Sequence, residues 1–118
     1  TSCTMNAKMG LERAAVVRHA VERGWEIVAH NYVQTDLLTN YQFDIEGERA
    51  VIRETLRVYR DVVGKPARGW LSCSLRSTPN TPDILAEEGL TFFTDLLNDD
   101  QPYLMHCEGG RKMVSIPY

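Results

Sequence analysis

The 118-residue chain is short of several things, and each shortage removes a class of function. It has no concentrated run of Lys or Arg, and its net charge is −3. Nucleic-acid binding is therefore not expected, because phosphate contacts need clustered positive charge. Uninterrupted apolar runs are only a few residues long, far below a membrane span, and no signal-peptide pattern opens the chain. Cysteine is scarce: Cys3, Cys73 and Cys107, with no CxxC spacing. An odd number cannot pair fully within one chain, and nothing nearby in sequence would lower a thiol pKa. The three read as buried free thiols in a reducing cytoplasm. No G-x-S-x-G elbow is present, so a serine hydrolase triad has no support. No G-x-G-x-x-G or P-loop follows a strand, so nucleotide binding is not indicated.

What is there suits one globular domain over residues 1–118, with 43% hydrophobic residues to fill a core. A short strand is expected over Ser2 to Asn6. A helix follows over Gly10 to Arg23, with Leu11, Ala14, Val17 and Val21 as its apolar stripe and Gly24 as its stop. The stretch "GWEIVAHNYVQTD" gives a strand over Trp25 to Asn31, then a connection of about a dozen residues, long enough to suggest a functional loop. The clearest helix spans Asp44 to Val63, with Ile45, Ile52, Leu56, Tyr59 and Val63 on one face, and ends at Gly64 before Pro66. "RGWLSCSL" reads as a third strand. "STPNTPDILAEEGL" contains a short helix with Thr81 as N-cap, Pro82 in the first turn and Gly89 at the end. "TFFTDLL" is a fourth strand, and "YLMHCEGGRKMVSIPY" a hairpin turning at Gly109 and Gly110. Strands alternating with helices imply an α/β fold on a parallel sheet, and such sheets carry ligand chemistry at the C-terminal ends of their strands.

Two candidates fall at such ends. His30 alternates with Glu26, Val28 and Tyr32 on one strand face; it is a satisfied strand residue, a metal ligand or a catalytic group. "NDDQP" places Asn98, Asp99 and Asp100 after the fourth strand, where paired carboxylates bind a cation, act as acid or base, or hold substrate; the same residues are also ordinary loop formers. Asp95 interrupts an apolar strand and needs a partner or a raised pKa. The Trp70 segment puts Ser72, Ser74 and Arg76 near a strand end, where Arg76 either clamps an anion or stays in solvent. His19 sits among charged helix residues, and His106 lies in the hairpin without an evident partner. A zinc site needs at least three protein ligands, and the sequence does not assemble three.

"RHAVERGWEIVAHNY" and "GKPARGWLS" resemble stretches of the polysaccharide deacetylase (NodB-homology) superfamily, and "DILAEEGLTFFTDLLNDDQPY" followed by "VSIPY" looks closest to its allantoinase-like and cyclic-imide-hydrolase-like branch. The resemblance spans nearly the whole chain. It implies a (β/α) barrel, of which this chain is the central part, hydrolysing non-peptide C–N bonds in a small-molecule amide, cyclic ureide or N-acetyl sugar. It implies a divalent metal such as zinc, with His30 matching the first of two ligand histidines and Gln34 standing where the second would be. Leu71 replaces an arginine of the family's third strand. On this resemblance His30 and Asp100 are the expected catalytic residues, Trp70, Asn98 and Asp99 the expected substrate-binding residues, and His30 the expected metal ligand. The family's paired aspartates and last histidine match positions outside Thr1 to Tyr118. The open edges of a partial barrel are expected to be covered either by strands from the rest of the protein or by a homo-oligomer. The alternative expectation is a non-catalytic relative that binds small molecules or assembles with copies of itself.

Overall fold

A computed structural model describes residues 1–118. The sheet is built from β1 (Ser2–Met5), β2 (Glu26–Ala29), β3 (Gly69–Trp70), β4 (Phe92–Phe93), β5 (Tyr103–His106) and β6 (Lys112–Ser115), in the spatial order β1-β2-β3-β4-β6-β5. Neighbours from β1 through β4 to β6 run parallel, and only β5 pairs antiparallel, with β6. The helices are α1 (Ala7–Glu12), α2 (Ala14–Glu22), α3 (Ile45–Val63) and α4 (Thr81–Glu87). The sheet does not close on itself; β1 and β5 are its two edges. This is the expected α/β order, as a partial barrel with a terminal hairpin.

One face of the sheet packs on the helices. Met5, Ile27, Ala29, Trp70, Phe93 and Met113 from the strands share a core with Val17 of α2, Ile52, Val58, Tyr59 and Val62 of α3, and Ile84 and Leu85 of α4. Full burial of each large apolar side chain contributes roughly 1.5–3 kcal/mol. Strand alternation sends Glu26, Val28, Phe92 and Thr94 to the other, open face. Gly69 is required by that arrangement: a Cβ there would lie 2.0 Å from Cε2 and Cζ of Phe92, its partner in the register.

α3 begins as its sequence requires. Asp44 accepts from the Gly47 backbone N–H at 3.0 Å, Glu46 and Glu48 sit in the positive first turn, and Gly64 ends the helix at φ 87°. Several expectations change. The third and fourth strands keep only Gly69–Trp70 and Phe92–Phe93. The first predicted helix is two helices that break at Arg13 and begin earlier, and of its stripe only Val17 is fully buried, with Leu11 52% exposed. In α4 the N-cap is Asn80, not Thr81. The Thr81 hydroxyl instead donates to the buried Glu48 at 2.7 Å, and Thr78 donates to the same carboxylate at 2.7 Å. Tertiary demand from a buried charge has displaced the local cap.

Candidate active site

The strand ends β2, β3 and β4 bring three backbone-distant groups together. His30 follows β2 on the open face, two residues past Val28, and is half-buried. Its Nδ1 lies 2.5 Å from the carbonyl oxygen of Leu71 at the end of β3. The next amide of that same peptide unit, Ser72 N–H, donates to Asp95 Oδ1 at 2.7 Å. A single peptide plane therefore joins His30 on one side to Asp95 on the other. A carbonyl oxygen can only accept, so the neutral imidazole carries its proton on Nδ1 and leaves the Nε2 lone pair free.

Asp95 alternates with Thr94 of the open face, so its carboxylate lies on the helix side of the sheet, beneath Ser72. It is 4% exposed, and its Oδ2 has no hydrogen-bond partner. Burial pushes the carboxyl above the ordinary carboxylate range; the Ser72 hydrogen bonds, Ser77 and nearby His30 act against that rise. The neighbouring strand end holds a second unpartnered buried atom, Ser115 Oγ. The indole of Trp70 donates to Ser72 Oγ at 2.9 Å, which fixes the other side of the bridging residue.

The backbone here is strained in a way that fits a site. Asn31, Ser74 and Leu75 have φ of 55°, 57° and 56°, sparsely populated for residues other than glycine. Asn31 is fully buried and holds its turn by accepting from Cys73 N–H at 3.3 Å and donating to the Asp36 carbonyl at 3.0 Å. Over the strand ends opens a groove of about 410 Å³, lined by Thr4, His30, Gln34, Leu71, Ser72, Ser74, Leu75 and Tyr118. It continues into a trough of about 620 Å³ along the open face, past Val28, Phe92 and Thr94.

Of the catalytic, substrate-binding and metal-binding residues expected from sequence, His30 lies in this groove, with Gln34, Leu71, Ser72 and Ser74 around it, and Trp70, Asn98, Asp99 and Asp100 do not. Trp70 is 0% exposed in the core, so it presents no surface to a substrate. Asn98, Asp99 and Asp100 are exposed and fold upon themselves after β4: Asp99 accepts from the Asp100 and Gln101 N–H groups, and Asn98 accepts from the Tyr103 hydroxyl. These contacts are those of a loop former, and none of the three lines the groove. Asp100 is thereby separated from the chemistry assigned to it. Arg76, His19 and His106 are exposed.

Residues 1–118 do not by themselves complete a metal site, and the positions that match the family's paired aspartates and last histidine lie outside them. Nowhere do three His, Cys, Asp or Glu side chains converge, and the groove offers His30 only Thr, Gln, Ser, Leu and Tyr as company. Asp95 stands out in the sequence as a charge in an apolar strand; its bond to Ser72 does not, because that bond crosses strands that are distant in the chain.

No family profile matches the sequence, and no curated protein matches it. Solved structures do match. A protein described as a polysaccharide deacetylase from Mycobacterium smegmatis superposes with TM-score 0.88 at 22% identity, over 99% of this chain and 40% of that one. PuuE allantoinase superposes with TM-score 0.83 at 30% identity, over 99% of this chain and 38% of that one. A protein described as a polysaccharide deacetylase from Pseudomonas aeruginosa PAO1 gives TM-score 0.80 at 27% identity, over 98% and 39%. The chain thus spans about two fifths of the length of the structures it matches.

Proposed function

We propose that this chain, whose fold is that of polysaccharide deacetylases and allantoinase, forms the central part of a hydrolase for non-peptide C–N bonds. The substrate is a small cyclic amide, ureide or imide, or an N-acetyl group. The observation that carries this reading is the free Nε2 of His30, aimed from a strand end into an open groove and fixed through one peptide unit to a buried carboxylate. Water adds to the scissile carbonyl carbon, the C–N bond breaks, and the nitrogen leaves with a proton. His30 Nε2 accepts the proton that the attacking water gives up and returns one to the leaving nitrogen. An unprotonated Nε2 cannot donate to a carbonyl, so His30 acts as base and proton carrier rather than as the group that polarises the substrate. Asp95 touches no substrate; it is a positioning residue, holding Ser72 and so the Leu71 carbonyl on which His30 rests.

His30 is the one residue of this chain that would serve such a metal, and no step here is routed through one. No helix is long and apolar enough to cross a membrane. The three free cysteines support a cytoplasmic location, and the unpaired edges β1 and β5 support assembly with further strands, from the rest of the protein or from a second copy. Gln34 at the position of the family's second histidine and Leu71 in place of its arginine, both lining the groove, favour a second reading, a binding domain without turnover. In the full-length protein, hydrolysis of hydantoins, cyclic imides and N-acetyl sugars is the test. His30→Ala should lower turnover at least about a hundredfold; unchanged turnover removes His30 from the chemistry, and binding of these compounds without hydrolysis selects the second reading.

A further inference from the structure

Gln34 lies in the loop that leaves β2 and lines the same groove as His30. Its amide is not left to rotate in solvent. The fully buried Cys73 thiol sits 3.4 Å from Gln34 Oε1 and 3.5 Å from the His30 carbonyl oxygen. On the other side, Asn6 Nδ2 lies 3.4 Å from the same sulfur and also donates to the His30 carbonyl. The sulfur therefore accepts a hydrogen bond from Asn6 and has its own S–H to donate. The His30 carbonyl is already served by Asn6, whereas Gln34 Oε1 has no other donor. Burial keeps the thiol protonated and able to donate.

With its oxygen turned to the thiol, Gln34 presents its NH2 away from Cys73, and this NH2 bonds to no protein acceptor. The lining of the groove thus includes an acceptor, His30 Nε2, and a residue with a free donor pair, Gln34, which also borders the adjoining groove past Asn6 and Thr35. An exposed glutamine serving only solubility has no use for a buried thiol that selects one face of its amide. We infer that Gln34 determines specificity in this groove: its NH2 donates to a second carbonyl oxygen of the substrate, one not under attack, while Cys73 fixes the direction in which the amide faces.

This rests on the hydrolase reading for its substrate class and narrows it. Cyclic imides and ureides carry a second carbonyl beside the reacting amide; a simple N-acetyl group does not. Calorimetric titration of the full-length protein with hydantoin, which has two ring carbonyls, and with 2-pyrrolidinone, which has one, is the test. Gln34→Ala should weaken hydantoin binding about five- to tenfold, the loss of one neutral hydrogen bond, and leave 2-pyrrolidinone binding within twofold. Gln34→Glu should weaken it further, because a carboxylate meets the carbonyl oxygen with acceptors only. Cys73→Ala should weaken hydantoin binding and Cys73→Ser, which keeps a donor, should restore most of it. The inference is overturned by wild-type protein that does not bind hydantoin, by Gln34→Ala binding within twofold of wild type, or by an equal loss for 2-pyrrolidinone. If hydantoin binds in a Gln34-dependent way and no compound is hydrolysed, the inference stands and the hydrolase reading falls.

Discussion

Replacing Asp95 by Ala strikes the peptide that joins β3 to His30. Asp95 Oδ1 accepts the Ser72 N–H at 2.7 Å, and both residues are buried, at 4% and 0% exposure. Truncation leaves that N–H without a partner, which costs about 1–3 kcal/mol. Removing the orphan Oδ2 relieves part of the loss, so a value of about 1–2 kcal/mol in urea unfolding at neutral pH is expected. Asp95→Asn keeps an accepting oxygen and should lose less. It also isolates a pH term. Burial raises the folded carboxyl above its ordinary 3.8, so above that pH the unfolded chain has released a proton that the folded chain still holds. Stability from this group is fully present below 3.8 and is lost as pH rises through the folded value. Wild type minus Asp95→Asn should therefore show a stability difference that falls with rising pH across that window. An Asp95→Ala loss below about 0.3 kcal/mol, or a pH-independent difference between wild type and Asp95→Asn, would refute the bridge as a buried, burial-perturbed contact.

Gly69→Ala should destabilise the fold by about 1–3 kcal/mol, since its Cβ meets the Phe92 ring across a parallel pair, and pairing the change with Phe92→Ala should recover part of the loss in denaturant unfolding. Thr78→Val removes a hydroxyl from the buried Glu48 carboxylate and should cost about 1–3 kcal/mol; Glu48→Gln in the same background should cost less than in wild type, and additive losses would deny the contact.

The fold was legible where pattern and burial agree. Period-two alternation placed Glu26, Val28 and His30 on one face, but the turn at Asn31 ends it and Tyr32 packs against the core; Asp44 and Gly64 marked α3 because their chemistry is local. Long-range demands were not legible. Thr81 looks like an N-cap until Glu48, far away in sequence, takes its hydroxyl. Trp70 was expected to bind substrate at a strand end, but in a two-residue strand nothing in the sequence says which face it takes, and the core claims it. Asp99 and Asp100 sit where parallel sheets place their chemistry, yet the chain leaves the sheet after Asp95 and spends them on its own turn. Asp95 was visible as a charge in an apolar run; its partner was not, because Ser72 is 23 residues away. Gln34 stood out only as a mismatch to a histidine, and the Cys73 thiol that gives it a direction comes from another strand end.

The role of His30 as a base depends on which of its nitrogens carries the proton. Nitrogen-15 NMR of the imidazole at a pH where the ring is neutral measures this directly. The Leu71 carbonyl should hold the proton on Nδ1, leaving Nε2 with the shift of an unprotonated nitrogen, and Asp95→Ala should blur that preference by loosening the peptide. A neutral ring protonated at Nε2 would contradict the account, because the lone pair assigned to the attacking water would then face the wrong way.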